Sequence, residues 1–208
     1  MEAANLGLPL AQAKMAENYY FGTNSFEKDL DKCYEFAAKA AEAGERMGQF
    51  RLGILYDNGT GTAKDWRAAL KWYGRAAEQQ CHVSANNIGH IYSTGGNGVQ
   101  KDTDTAFTWT EKAAVGGHML AQASLGFMFY SGIGVAKDFA AARKWYKQSA
   151  DQGGARGQCF LGKMMIQGEG GSKNLGAGTI LLEKAAAQGN DEANELLSSI
   201  EECAKGWS

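Results

Sequence analysis

An aliphatic residue followed by a small one returns along this chain at Met15-Ala16, Leu52-Gly53, Ile88-Gly89, Leu125-Gly126 and Leu161-Gly162, at intervals of 37, 36, 37 and 36 residues. A fixed period of this length constrains the fold more than composition can, because every copy must be the same supersecondary unit. A second marker keeps step with the first: Lys28-Asp29, Lys64-Asp65, Lys101-Asp102, Lys137-Asp138 and Lys173-Asn174. Seven residues beyond its second member stand Phe36, Trp72, Trp109, Trp145 or Leu181. Small pairs follow at Ala40-Ala41, Ala76-Ala77, Ala113-Ala114, Ser149-Ala150 and Ala185-Ala186, each ending near a glycine such as Gly44, Gly117, Gly153 or Gly189. Five units are therefore present.

The spacing also separates two kinds of connection. From the Asp or Asn of the second marker to the next aliphatic marker is always 23 residues, whereas the reverse step is 13 in three units and 14 in those of Met15 and Ile88. A segment that keeps its length is packed against its neighbours, and one that accepts an insertion is a surface loop. The glycine loop inside each unit is thus expected to be the exposed one.

Each unit reads as two antiparallel helices. In the first, Ala11-Gln12, Gly48-Gln49, Ala121-Gln122 or Gly157-Gln158, the aliphatic marker, and Tyr19, Tyr56 or Tyr92 four residues later share one face. The glycine after the marker lacks a Cβ and predicts close approach by the second helix, since a mid-helix glycine otherwise costs about 1 kcal/mol relative to alanine. The Asp of the second marker stands where it caps the second helix. There Trp72, Trp109 and Trp145, at one fixed position per unit, are expected in the core with the alanine pairs. A pair of helices cannot bury its apolar faces alone, but stacked copies make a continuous core.

Composition excludes several partners. A formal charge of -2 supplies no basic field for nucleic acid or anionic lipid, and no window approaches 18 apolar residues. A single proline among 28 glycines fits many helices separated by turns. Cys33, Cys81, Cys159 and Cys203 are far apart and form neither a disulfide framework nor a CxxC metal pair, so they read as reduced, partly buried thiols. His82, His90 and His118 show no HExxH spacing, and no zinc site or other cofactor is expected. The string TGGNGVQKDT, Thr94 to Thr103, lacks the GK[ST] ending of a phosphate-cradling loop, and every unit carries the same loop for a structural reason. Adjacent residues on a helix point apart, so Cys81-His82 is no catalytic dyad. No convergent titratable groups point to an enzyme.

The pattern AQ..LG..Y..G.G...KD.....WY..AA.QG, as it stands at Gly48 to Gln80 and Ala121 to Gly153, resembles the Sel-one-like repeat (SLR) family, relatives of the tetratricopeptide repeats. The resemblance covers roughly residues 10 to 190 and departs from the pattern at the ends, with Met15-Ala16, Phe36-Ala37, Leu181-Leu182 and Met165. It implies an all-α fold, a right-handed α-solenoid of about five helix-turn-helix repeats in one domain over 1–208. The units fall at about 10–45, 46–81, 82–118, 119–154 and 155–190. A capping helix over 191–204 carries Glu and Ser away from its packed face. At the start, AANLGLPLAQ aligns with AAEAGERMGQ at 40–49, as though the chain opened inside the last turn of a second helix. A removed leader, a trimmed terminus and a natural short start all fit; the first would place the protein in a periplasm or outside the cell, the others leave the cytoplasm.

By the same resemblance, the first helix of each unit lines the concave wall of a superhelix. The positions two before, two after and five after the marker then face a groove that holds a protein or peptide. Carried over, these are Ala13, Glu17 and Tyr20; Phe50, Ile54 and Asp57; Asn86, His90 and Ser93; Ala123, Phe127 and Tyr130; and Cys159, Lys163 and Ile166. Phe50, Ile54, Phe127 and Tyr130 would be apolar anchors, with Asp57, His90 and Lys163 giving polar direction. Two roles are compatible with the resemblance: a non-enzymatic adaptor or scaffold, and a bacterial immunity protein that inhibits a secreted antibacterial effector such as a phospholipase.

Overall fold

The computed structural model describes residues 8–205. Eleven helices follow one another among them: α1 Pro9–Phe21, α2 Leu30–Glu42, α3 Arg46–Asn58, α4 Trp66–Glu78, α5 His82–Thr94, α6 Thr103–Val115, α7 Met119–Ser131, α8 Phe139–Asp151, α9 Ala155–Gln167, α10 Leu175–Ala186 and α11 Asp191–Lys205. They form the consecutive pairs of an all-α repeat solenoid, with α11 following the fifth pair. The alignment of AANLGLPLAQ with a helix end falls mostly on residues outside those described. No helix among the described residues is long and apolar enough to cross a membrane. The chain divides into two compact bodies, one up to Asp102 and one from Thr103.

The second marker does set the second helices. Carboxylate or amide oxygens accept from backbone N–H groups in the first turn: Asp29 from Lys32 at 3.0 Å, Asp65 from Arg67 and Ala68 at 2.9 and 3.1 Å, Asp138 from Ala141 at 2.9 Å, and Asn174 from Ala177 at 3.0 Å. Each such cap is worth about 1 kcal/mol. The close approach predicted from the marker glycine is present too: a Cβ at Gly53 would stand 2.5 Å from Cδ1 of the buried Tyr73, and one at Gly126 2.8 Å from Cδ1 of Tyr146. In the first unit Ala37 takes the tyrosine position and Ala16 the glycine position, both fully buried, so an added methyl meets the lost ring.

Trp72, Trp109 and Trp145 are not core residues. They are half-buried, and the Arg75 guanidinium lies 4.8 Å from the ring centre of Trp72 while the Lys112 ammonium lies 4.9 Å from that of Trp109. The buried stripe of α4 runs through Ala69, Tyr73, Ala76 and Ala77, at helical spacing, and Trp72 lies one residue off that line at its edge. A large ring there covers the stripe from the side and keeps one flank for a cation. On the first helices, the residue three after the marker (Leu55, Ile91, Met128, Met164) is the deeply buried one, and the tyrosine four after it is only half-buried.

The loop inside each unit is largely exposed, as its variable length implies, but one edge is docked. The second loop glycine lies against the start of the preceding second helix: Gly61 on the Leu30 carbonyl, Gly134 on that of Thr103 and Gly170 on that of Phe139. Arginines of the preceding helix fasten the same loops, Arg67 Nε donating to Gly98 O at 3.0 Å, and Arg143 donating to Glu169 O at 3.2 Å and Ser172 O at 3.0 Å. The extra residue in the loop before Lys101 is taken up by a small turn in which Gly96 and Val99 exchange backbone hydrogen bonds of 2.8 and 2.9 Å.

Glutamines join one unit to the next. Gln79 Nε2 donates to Gln49 Oε1 at 2.9 Å and to Gly44 O of the preceding unit at 3.0 Å, and Gln152 repeats this with Gln122 at 2.7 Å and Gly117 O at 3.1 Å. Gln188 donates to Gln158 at 2.8 Å. The buried amides of Gln49 and Gln122 reach back in turn to Ala41 O at 3.5 Å and Ala114 O at 3.3 Å.

Where other units end their second helix on a left-handed glycine, the second unit holds Gln80 at φ 63°. A side chain in that conformation costs about 1 kcal/mol, part of which a glycine recovers. Gln80→Gly is therefore expected to raise stability by about 0.5–1 kcal/mol in urea denaturation.

Candidate functional site

The groove positions of the sequence reading separate into three groups. The position two before the marker is closed where its residue is small: Ala13, Ala123 and Cys159 are buried, because small residues there let neighbouring helices approach. Phe50 and Asn86, at the same position, are half-buried. The position two after is open, with Glu17, Ile54, Phe127 and Lys163 half-buried and His90 exposed. At five after, Tyr20, Ser93, Tyr130 and Ile166 are half-buried and reachable.

Asp57 is the exception at that position. Its carboxylate accepts from Trp66 Nε1 at 2.8 Å and from the Tyr73 hydroxyl at 3.2 Å, both on buried side chains. It is a structural acceptor turned into its own unit, and the polar direction expected of it toward a partner is corrected accordingly. Burial, with the Asp57 charge beside it, pushes the Tyr73 phenol far above its ordinary range and keeps it a donor. Tyr146, the same residue in the fourth unit, has a buried hydroxyl with no hydrogen-bond partner among the described residues. The reason lies in what replaces the partner: Tyr130 stands at the place of Asp57, and Phe160 stacks on Tyr146 at 5.2 Å between centres and 17° between planes.

In the first body the open positions Glu17 and Tyr20 lie beside Arg51, which sequence reasoning missed. Arg51 is buried, 7% exposed, with its guanidinium carbon 4.6 Å from the ring centre of Tyr20 and 5.2 Å from that of Phe21. Glu17 lies 4.0 Å away and is bound to Lys14 at 2.5 Å, a hydrogen bond that is the main reason its carboxyl titrates below the usual range. Beside them opens a cleft of about 480 Å³ lined by Leu8, Leu10, Ala11, Ala13, Lys14, Glu17, Met47 and Arg51. Leu10 is 71% exposed and Met47 39%.

The second body carries a comparable face. Phe127 packs near Phe160, with ring centres 6.4 Å apart, and the Arg156 guanidinium lies within 6 Å of both rings, at 5.6 and 5.9 Å. Tyr130 leans on Phe139 at 5.1 Å, and its hydroxyl donates to Glu169 at 3.4 Å; burial chiefly, and then the Glu169 charge, hold its phenol above the ordinary value. A second cleft of about 480 Å³ is bounded by Lys163, Ile166, Leu175, Leu182, Leu196 and Ile200. Lys163 faces Glu192 at 3.6 Å.

The chain matches the Sel1 repeat model at residues 9–45, 46–81, 82–118, 120–154 and 155–190. It belongs to the Sel1 repeat family. A Sel1 repeat protein of Oxalobacter formigenes superposes with a TM-score of 0.84 at 32% identity, over 93% of this chain and 76% of the other. A protective antigen of uropathogenic Escherichia coli that displays an SLR fold superposes at 0.87 and 35% identity, over 95% of this chain and 42% of the antigen. An immunity protein of Pseudomonas aeruginosa shares the fold, at a TM-score of 0.55 and 20% identity over 86% of this chain and 67% of the other. Among curated proteins, chitin synthase regulatory factor 3 of Schizosaccharomyces pombe is 36% identical over 105 residues, half of this chain. These Sel1 repeats span about 11% of that regulator's length.

None of the groups gathered on this Sel1 repeat face forms a metal cluster: no three His, Cys, Asp or Glu among the described residues could hold an ion together. Two of the thiols are equally quiet. Burial raises Cys33 and Cys159 from 9.0 to about 11. Because burial disfavours the thiolate, these two are expected to react with iodoacetamide at pH 8 about 100-fold more slowly in the folded protein than in the unfolded chain, by mass-spectrometric counting.

Proposed function

We propose that this chain is a non-enzymatic protein-binding module that holds a protein or peptide partner on the face of its first helices. The observation that carries the reading is the contrast between positions within one helix. Packing positions repeat from unit to unit, whereas the position two after the marker carries Glu17, Ile54, His90, Phe127 and Lys163, different in each unit, and the position five after adds Tyr20 and Tyr130, all of them partly accessible. In a repeat array, residues not needed by every unit for stacking are free to specify a partner. Half-buried aromatic side chains beside apolar clefts are what an interface anchors on. That its relatives include regulators of chitin synthase is consistent with a module that acts by binding.

The test is titration calorimetry against a partner first identified by affinity capture, with wild type and a Phe50→Glu/Phe127→Glu variant of unchanged melting temperature. The variant is expected to bind at least about 100-fold more weakly, since charges placed at two anchors stay unpaired in the interface. Equal binding by both forms would remove the first-helix face as the site. The inhibitor role is a separate outcome of the same experiment: one tight, stoichiometric partner whose own enzymatic activity disappears in the complex. An adaptor binds without abolishing it.

A further inference from the structure

The geometry points to Arg51 as the receptor for a carboxylate of the partner, with the apolar cleft beside it taking an adjoining aliphatic or aromatic side chain. The inference rests on the binding reading above and names the chemistry of the segment bound in the first body.

A guanidinium offers five N–H donors in one plane. Arg51 is 7% exposed, and the buried polar side-chain atoms without a partner among the described residues belong to Tyr146, Ser149 and Glu169, so the guanidinium donors still reach solvent. Glu17, 4.0 Å away, stands beyond hydrogen-bonding distance and already holds Lys14. Tyr20 and Phe21 lie against the guanidinium and bring it no carboxylate. What remains is a cation fixed by two rings, at the wall of a cleft whose other polar side chains are Lys14 and Glu17. The three charges sum to one positive. A carboxylate is the complementary group, because it accepts two parallel N–H donors and neutralises that charge. Low polarity at Leu10, Ala13 and Met47 strengthens such a pair once water has left. The same side chains give a neighbouring leucine, isoleucine, methionine or phenylalanine a surface to cover, and Leu10, 71% exposed, has most to gain.

The carboxylate is that of an Asp or Glu side chain inside the bound segment, beside its apolar neighbour, and a chain terminus is an outcome that the experiment tells apart. Full-length protein on beads is offered amidated nonapeptides, random except for a central Asp, Asn or Lys. A further set carries a central Asn and a free C-terminus. Recovery of the Asp set at least tenfold above the amidated Asn set, with aliphatic or aromatic residues enriched next to it, supports a side-chain carboxylate. Preference for the free-terminus set alone would overturn the side-chain assignment in favour of a chain end. Arg51→Met, which keeps the apolar stem but not the charge, is expected to abolish either preference. Leu10→Ser, at an exposed position, is expected to erase the apolar enrichment while leaving the charge preference, which keeps the test valid if Arg51→Met does not fold. Arg156→Gln, in the other body, should change neither. Equal recovery of Asp, Asn and Lys peptides would overturn the carboxylate receptor and leave the binding face intact. No recovery of any peptide, alongside tight binding of an intact partner, would also overturn it. Failure of both peptides and intact partner would remove the binding reading as well.

Discussion

Gly170→Ala is expected to lower the stability of the protein by about 3–5 kcal/mol, whereas Gly153→Ala should cost about 1 kcal/mol. Both glycines are left-handed, at φ 64° and 86°. The conformational cost of a side chain is therefore nearly the same at the two sites. They differ in what a methyl would meet. At Gly153 there is nothing within 4 Å, while at Gly170 the new Cβ would collide with the Phe139 carbonyl and crowd the amide of Ala140. Neither obstacle is the end of a flexible side chain, so relief requires the loop to leave the preceding helix, and with it the hydrogen bonds from Arg143 to Glu169 O and Ser172 O. Equilibrium urea unfolding of the two variants checks the difference. Equal losses would mean that the loop is not docked.

Asp57→Ala is expected to cost about 2–4 kcal/mol, and the tyrosine pair shows why. Removing the carboxylate leaves Trp66 Nε1 and the Tyr73 hydroxyl, both on buried side chains, without the acceptor they share. Tyr73→Phe removes one donor and frees one lone pair, and should cost about 1–2 kcal/mol. Tyr146→Phe removes a buried hydroxyl with no partner among the described residues, and should be neutral or slightly stabilising. The two tyrosines occupy the same place in units two and four, so each serves as the other's control. Thermal unfolding of the three variants decides the matter, and a Tyr146→Phe loss as large as that of Tyr73→Phe would show a partner for that hydroxyl after all.

The repeat, the helix pairs, the caps at Asp29, Asp65 and Asp138 and the glycine contacts were legible because each is paid for by a residue type that recurs in register. The tryptophans misled for the same reason: recurrence marks a shared environment, and an edge position shielded by Arg75 or Lys112 is as constant as a core one. The inter-unit glutamines left a usable signal. Gln49 with Gln79, Gln122 with Gln152 and Gln158 with Gln188 occur together, each pair inside one unit, while in the third unit Ala85 and Gly116 stand at both places and in the first Gln12 goes with Ala43. Arg51 left none. Its neighbour Tyr20 lies in the preceding unit, and no spacing rule within a single repeat brings the two together. Asp57 could be assigned only from its contacts, because an exposed carboxylate and one bonded to a buried indole look the same in a string of letters.

The glutamine contacts make the array editable. Gln49 closes on the Ala41 carbonyl and Gln122 on that of Ala114, chemically identical groups at identical places in their helices. Excising the third unit, which carries Ala85 in place of this glutamine, would bring the Gln122 amide to the Ala77 carbonyl, the same kind of group at the same place in its helix. A unit that carries this glutamine can therefore be added or removed in a step of 36 or 37 residues without a new fastening. What must be reinvented each time is only the handful of side chains that meet the partner.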